Sequence, residues 1–241
     1  MSGRSGDRPF QVRAYLAAGL AHATPWGISL DGLLAAEMWA NQKAAALDRG
    51  EEVGAMTPDV APADLDLPLA RCSLAGSDWH WCATCSYPED QNGDPVVRYW
   101  ASRTDHRGLE ELATQLPAVV SDRQGRYRAR YMPVMITNTR TVVWRGVGDQ
   151  NAVAELLAGL DVIGKKRGHG EGRVLRWEFT PLPDEDAWTA AHQHPDGSLG
   201  RTTPTRCLRG RPAPRSGGYG LAGLRPPYMH PTRLRELHLP I

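Results

Sequence analysis

The order of strand-like and helix-like segments is the feature that most restricts how this chain of 241 residues can fold. Partial alternation of apolar residues predicts a strand over residues 10–18, and a helix with Ser29 as its N-cap follows over 30–47. Two hairpins are predicted next, the first from 78–86 and 96–103 and the second from 126–136 and 141–147. A short helix over 109–116 lies between them. A helix capped by Asp149 and ending near Leu160, then a strand over 173–179, complete the series.

This order fits a β-α-β-β-α-β unit into which one hairpin is inserted. We therefore expect an α+β fold, an elaborated ferredoxin-like sheet with its helices on one face. The domain is expected to span residues 10–180. Residues 181–241 are rich in proline, glycine and arginine and show little periodicity, which predicts an extended basic C-terminal tail.

Charge is distributed unevenly along the chain although the formal net charge is only +1. Residues 197–241 hold eight arginines and one glutamate, a net of +7, so residues 1–196 hold 20 basic and 26 acidic residues, a net of −6. A basic tail on an acidic body favours contact with a polyanion such as target DNA, or with an acidic protein. Deleting residues 197–241 is expected to leave the core fold intact.

Composition excludes several classes of protein. The hydrophobic content of 41% and the charged content of 23% are those of a globular chain. No apolar run is long enough to span a membrane, and residues 1–9 lack the apolar segment of a signal peptide. Four cysteines do not make a disulfide scaffold, so we expect a cytoplasmic protein without membrane contact.

The most informative motif is a glycine-rich basic segment between the last helix and the last strand. Only three lysines occur in the chain, and Lys165 and Lys166 are both in this segment. Glycines allow close backbone approach to an anion, and neighbouring cations attract phosphate. Walker and Rossmann loops are excluded because they join a strand to a following helix. The residues predicted to contact a phosphate backbone are Gly164, Lys165, Lys166, Arg167, Gly168, His169, Gly170, Gly172 and Arg173.

Further motifs occur in order along the chain. They are Leu30-Asp31-Gly32-Leu33-Leu34, Trp81 followed by Ser86, Gly125-x-Tyr127, Tyr131-Met132-Pro133, and Trp144 followed by Val147-Gly148-Asp149. With the glycine-rich segment they resemble the RAMP superfamily of CRISPR-associated proteins over residues 10–180. Within it they resemble the type IV subunit that corresponds to the guide-capping subunit of Cascade-like complexes.

The resemblance implies a noncatalytic subunit of a CRISPR ribonucleoprotein complex. Such a subunit binds the 5′ handle of the guide RNA (crRNA) and docks the backbone filament subunit and a large subunit. Residues Gly164 to Arg173 would contact the handle. No cofactor is implied.

Two other groups of residues are candidates for RNA contact. Alternation in a strand would place Arg126, Arg128 and Arg130 on one face, with Tyr127 and Tyr131 on the other. A row of arginines beside aromatic rings suits single-stranded RNA, although a solvated outer face explains it equally well. His22, in the loop after the first strand, is placed near RNA or in solvent.

Two alternatives remain at this point. The first is a metal-independent RAMP endoribonuclease that processes the crRNA precursor, with His22 or His169 as general base and Lys165 or Lys166 stabilising the transition state. No second acid or base is placed by a recognisable motif, so no catalytic residue is predicted. The second is a ferredoxin-like protein-interaction module that binds no RNA.

Cys82 and Cys85, with His80 and the distant Cys72, raise the possibility of a zinc site. Structural zinc needs two pairs of ligands, and residues three apart in a strand point to opposite faces. The cysteines are therefore predicted to be buried and free, with no metal. His192 and His194 lie in the supposed tail without recognisable partners.

Overall fold

The computed structural model describes residues 6–54, 56–102, 105–115, 124, 128–165 and 170–241. Its strands are β1 (Arg8–Leu16), β2 (Leu20–His22), β3 (Arg71–Cys72), β4 (His80–Trp81), β5 (Tyr87–Pro88), β6 (Val96–Ser102), β7 (Arg130–Thr137), β8 (Thr141–Gly148), β9 (Val174–Pro181), β10 (Gly218–Gly223) and β11 (Leu234–Leu239). Its α-helices are α1 (Leu30–Asp48), α2 (His106–Glu111), α3 (Gln150–Leu157), α4 (Ala187–His192) and α5 (Thr205–Leu208).

The central sheet has four strands in the order β5-β8-β1-β9, and every neighbouring pair is antiparallel. Helices α1 and α3 contact each other and pack on one face of this sheet. The apolar side chains of β1 alternate, so that face is formed by Phe10, Val12, Ala14 and Leu16, all buried. The architecture is α+β. No α-helix in the described part of the chain is long and apolar enough to cross a membrane.

Helices α1 and α3 begin at the residues that the sequence indicates. The side chain of Ser29 accepts a hydrogen bond from the backbone N–H of Gly32, and Asp149 accepts from those of Asn151 and Ala152. These bonds satisfy backbone donors that the first turn of a helix leaves without partners. Strands β1 and β9 also lie within two residues of their predicted bounds.

The two predicted hairpins are wrong in their pairing. Strand β6 pairs with β7, and β7 also pairs with β2, which makes a separate three-stranded sheet. Strand β8 instead pairs with β1 and β5, because its side chains are buried on both faces and require the centre of a sheet. Most of residues 78–86 form no regular strand and make isolated bridges, such as Ala83 with Gly146.

The prediction of an extended tail is also wrong. Residues 182–241 contain α4, α5 and the hairpin β10–β11, and α4 contacts β1 and β8. Ala190 and Ala191 pack with Cys72, Cys82 and Val147 in a second apolar cluster. By strand alternation Val147 lies on the face of the sheet opposite to Trp144, so the C-terminal segment covers part of the face that α1 and α3 leave open.

The charge of this C-terminal segment is balanced within the molecule. Six of its eight arginines form ion pairs with aspartates that precede residue 197: Arg201 with Asp31, Arg211 with Asp186, Arg215 with Asp196, Arg225 and Arg233 with Asp64, and Arg235 with Asp78. Four of these arginines therefore pair with the body of the same chain, and the other two pair with aspartates of the C-terminal segment itself. Arg206 and Arg209 remain exposed.

Candidate functional site

The base of the glycine-rich segment is fixed to β2 and to the turn that precedes it. The backbone N–H of Lys165 donates to the carbonyl of Ala21 at 2.9 Å, and that of Gly172 donates to the carbonyl of Gly19 at 2.8 Å. Gly164 and Gly172 have φ angles of 89° and 75°, and a Cβ atom at either would overlap a backbone carbonyl. Both positions therefore require glycine for close backbone approach within the protein.

The fixed base presents two of the predicted cations to solvent. Lys165 and Arg173 are exposed, as is Gly170 between them. Lys166, Arg167, Gly168 and His169 lie outside the described residues.

The hairpin formed by β6 and β7 carries exposed aromatic side chains on its outer face. The rings of Tyr99 and Tyr131 are stacked, with centroids 4.7 Å apart and planes 5° from parallel. Their residues are 58% and 71% exposed, so each ring contributes to a flat surface that solvent reaches. Val97 and Met135 lie on the same face, since cross-strand neighbours share a face. Sequence reasoning selected Tyr131 but not Tyr99, because it paired β6 with the wrong segment.

An ion pair connects this hairpin to the glycine-rich segment. Nη1 of Arg98 lies 2.8 Å from Oε1 of Glu171, and the Arg98 side chain remains 66% exposed. The two residues are 73 positions apart, and no local pattern in the sequence relates them. By strand alternation Arg98 lies on the face of β6 opposite to Tyr99, so the contact joins the glycine-rich segment to this pair of strands on the side away from the tyrosine stack.

The arginine series predicted beside these tyrosines is only partly described. Arg130 is the first residue of β7 and lies on the face opposite to Tyr131, as strand alternation predicts. Arg128 precedes the strand, and both arginines are exposed. Arg126 and Tyr127 lie outside the described residues.

His22 is buried rather than exposed. One ring nitrogen, Nδ1, lies 2.6 Å from the carbonyl oxygen of Thr24, and the other, Nε2, lies 2.7 Å from Oγ1 of Thr137. Burial lowers the pKa of His22 below its usual value, which favours the neutral ring. Both nitrogens are thus engaged within the protein, and this geometry gives His22 a part in holding β2 against β7.

The Leu-Asp-Gly-Leu-Leu motif contributes a buried carboxylate. Both oxygens of Asp31 accept from the hydroxyl of Tyr228, at 2.7 and 2.8 Å, and Nη2 of Arg201 lies 3.8 Å from Oδ2. Burial raises the pKa of Asp31, and the charge of Arg201 opposes that effect. The guanidinium also donates to the carbonyls of Trp81, Ala83 and Leu224. This network supports the packing of the C-terminal segment against α1.

Four metal-binding side chains meet in the second apolar cluster. Cys72, His80, His192 and Cys207 are all buried, and their ligand atoms lie within 4.8 Å of one another. The Sγ atoms of Cys72 and Cys207 are 3.8 Å apart, and the Nε2 atoms of His80 and His192 are 3.0 Å apart. Sequence reasoning grouped Cys72 and His80 with Cys82 and Cys85 instead, because His192 and Cys207 belong to the segment that was expected to be an extended tail.

Cys82 and Cys85 are buried and free, as predicted. Burial raises the pKa of the Cys85 thiol to about 12 and that of Cys82 further still. Both therefore remain protonated thiols, and neither belongs to the four-residue cluster.

No protein-family model matches this chain, and no curated protein matches it.

Proposed function

We propose that this protein is a noncatalytic RNA-binding subunit that holds the 5′ handle of a guide RNA in a cytoplasmic CRISPR ribonucleoprotein complex of the type IV kind. The observation that carries the proposal is the exposed stack of Tyr99 and Tyr131 on β6 and β7, two strands that the Arg98–Glu171 ion pair ties to the basic glycine-rich segment. Filament and large subunits of the complex would dock on other surfaces of the same chain.

The order of the elements supports a RAMP-type, ferredoxin-like assignment. Strand β1, helix α1, strand β5, strand β8, helix α3 and strand β9 follow one another as a β-α-β-β-α-β unit. In the sheet β8 lies between β5 and β1, and β9 lies on the other side of β1. On this assignment β6 and β7 form the insertion into the unit, with a pairing that differs from both hairpins predicted from the sequence.

The chemistry of this surface suits single-stranded RNA. Unpaired bases stack on aromatic rings, each stack contributing about 1–3 kcal/mol, and this surface offers Tyr99 and Tyr131 for that purpose. The exposed cations Lys165 and Arg173 are suited to phosphate oxygens. Glu171, only 13% exposed in its side chain, is directed at Arg98 rather than at the solvent that a phosphate would occupy.

RNA-binding titrations test the proposal. A fluorescent single-stranded RNA bearing the repeat-derived 5′ handle is titrated with the full-length chain at several salt concentrations. Tyr131→Ala and the double variant Lys165→Ala/Lys166→Ala should each weaken binding at least about fivefold, and the double variant should also flatten the dependence on salt.

Matched controls come from exposed residues elsewhere. Tyr219→Ala removes a tyrosine of similar exposure on β10, and Lys43→Ala removes the remaining lysine, which is exposed on α1. Neither should change the affinity. Binding that is unaffected by the first two variants would contradict the assignment of this surface, and a single cut of the RNA in EDTA would contradict the noncatalytic role.

A further inference from the structure

The cluster of Cys72, His80, His192 and Cys207 unites separate parts of the chain. Cys72 ends β3, His80 begins β4, His192 ends α4 and Cys207 lies in α5. All four residues have no solvent exposure. Two thiols and two imidazoles therefore converge inside the apolar layer between the body and the C-terminal segment.

The distances suit a tetrahedral metal ion. Two thiolates bound to zinc at about 2.3 Å lie about 3.8 Å apart, the separation found between the two sulfur atoms. Two imidazole nitrogens bound at about 2.0–2.1 Å lie roughly 3.3–3.4 Å apart. The two Nε2 atoms are 3.0 Å apart, and all four ligand atoms lie within 4.8 Å of one another, whereas a sulfur and a nitrogen on one zinc lie about 3.5 Å apart, so binding the ion requires side-chain movements of up to about 1 Å.

The hydrogen bonds of His192 prepare it to be a ligand. Its Nδ1 lies 2.8 Å from the carbonyl oxygen of Trp188, which can only accept, so Nδ1 carries the proton. The lone pair is then on Nε2, which faces the cluster. In zinc sites the ring nitrogen that does not bind the metal commonly donates a hydrogen bond to a carbonyl, and this bond orients the histidine.

His80 is held only from the side of the cluster. Its Nδ1 is buried and has no hydrogen-bond partner among the described residues, and its Nε2 faces His192. The Nε2 atom can present a lone pair to an ion in the cluster when the ring proton is on Nδ1.

We propose that these four side chains bind one structural zinc ion. The thiols of Cys72 and Cys207 would each lose a proton to solvent, and two thiolates and Zn²⁺ together carry no net charge, which suits burial. Four protein ligands leave no open position, so the site is structural rather than catalytic. The zinc fastens the β3–β4 pair to α4 and α5.

Metal analysis of the full-length protein tests this. The protein is purified without a histidine tag and dialysed against metal-free buffer. Its zinc content is then measured by inductively coupled plasma mass spectrometry, and we expect about one zinc ion per chain. Cys207→Ala should lose most of the zinc. Cys82→Ala is the matched control, because it removes a buried thiol from the same apolar cluster outside the ligand set, and it should retain the metal.

A spectroscopic measurement keeps the test decisive if Cys207→Ala does not fold. Zinc in the wild-type protein is exchanged for Co²⁺, which should give the visible bands of tetrahedral cobalt and a thiolate-to-cobalt charge-transfer band. His80→Cys should still bind Co²⁺ and show a stronger charge-transfer band, since it adds a third thiolate.

Three results would overturn the zinc site. They are wild-type protein that binds neither zinc nor cobalt, zinc retained at full occupancy in Cys207→Ala, and a disulfide between Cys72 and Cys207 in freshly purified protein.

Discussion

Nη2 of Arg201 lies 3.8 Å from Oδ2 of Asp31, and both side chains are buried. Asp31 lies in the first turn of α1, whereas Arg201 belongs to the C-terminal segment, so the ion pair joins two distant parts of the chain. Tyr228 donates to the same carboxylate and adds a third participant. The buried charges are thus paired and hydrogen-bonded, which is the condition for tolerating them in a core.

Breaking this pair should destabilise the protein strongly. Arg201→Leu leaves the carboxylate of Asp31 without its opposite charge and three backbone carbonyls without their donor, and we expect a loss of about 3–5 kcal/mol in the free energy of unfolding. Tyr228→Phe removes one hydroxyl and should cost less, about 1.5–3 kcal/mol. Urea unfolding followed by circular dichroism measures both.

The exposed pair of Arg49 and Glu51 provides a comparison for these variants, because its side chains are more than half exposed. Glu51→Gln should leave the unfolding midpoint unchanged. Equal effects of Arg201→Leu and Glu51→Gln would contradict the role assigned to the buried network.

Removal of the C-terminal segment should destabilise the protein, although the sequence predicts that the core fold would survive it. Deleting residues 197–241 removes Arg201 and Tyr228 from Asp31, and it removes Cys207 from the second apolar cluster. We expect an insoluble chain or one without a cooperative unfolding transition, measured by calorimetry of the soluble fraction. Arg206→Ala/Arg209→Ala alters only exposed charge in the same segment and should unfold like the wild type.

Two glycines of the basic segment should differ in their tolerance of alanine. Both have positive φ, but a Cβ at Gly172 would overlap the carbonyl of Ile163, whereas a Cβ at Gly170 meets open space. Gly170→Ala should cost about 1–2 kcal/mol in unfolding free energy from backbone strain alone. Gly172→Ala should cost at least twice as much, as judged by thermal unfolding. Equal costs would mean that the base of the segment is not held as described.

The burial of His22 should be visible in the dependence of stability on pH. Its pKa is lowered in the folded protein, so between that value and about 6.5 the unfolded chain binds a proton that the folded chain excludes. Stability due to His22 is therefore complete above about pH 6.5 and falls as the pH falls. His22→Gln should give a shallower decline in unfolding free energy between pH 7.5 and pH 5 than the wild type shows.

His106 supplies the control for that measurement, because it is exposed at the start of α2. His106→Gln should reproduce the wild-type decline. A decline in His22→Gln as steep as that of the wild type would show that His22 does not exclude the proton.

The sequence predicted those elements whose signals are local. Ser29 and Asp149 cap their helices, and the apolar alternation of β1 forms one wall of the core. Pairing was predicted wrongly because turn signals favour neighbours in sequence, whereas β8 is buried on both faces and pairs with β1.

The helices and strands of the C-terminal segment were not predicted, because they are short and their burial depends on partners that are distant in the sequence. Arg201 is fully buried, yet nothing near it in sequence distinguishes it from a solvated arginine. The four-residue cluster was missed for the same reason: His192 and Cys207 find His80 and Cys72 only when the segment folds back. The stacked tyrosines likewise depend on pairing between β6 and β7.

The distance along the chain between Asp31 and Tyr228 has a consequence for how the protein is made. The two residues are separated by 197 positions. A ribosome adds about 5–20 residues per second, so Tyr228 is synthesised roughly 10–40 s after Asp31. During that time β1 and α1 have emerged, but the layer that covers the opposite face of the sheet has not. The native contacts of Asp31 therefore become possible only after Tyr228 has been synthesised, and a chain that stops before this residue is a product that chaperones or proteases must handle.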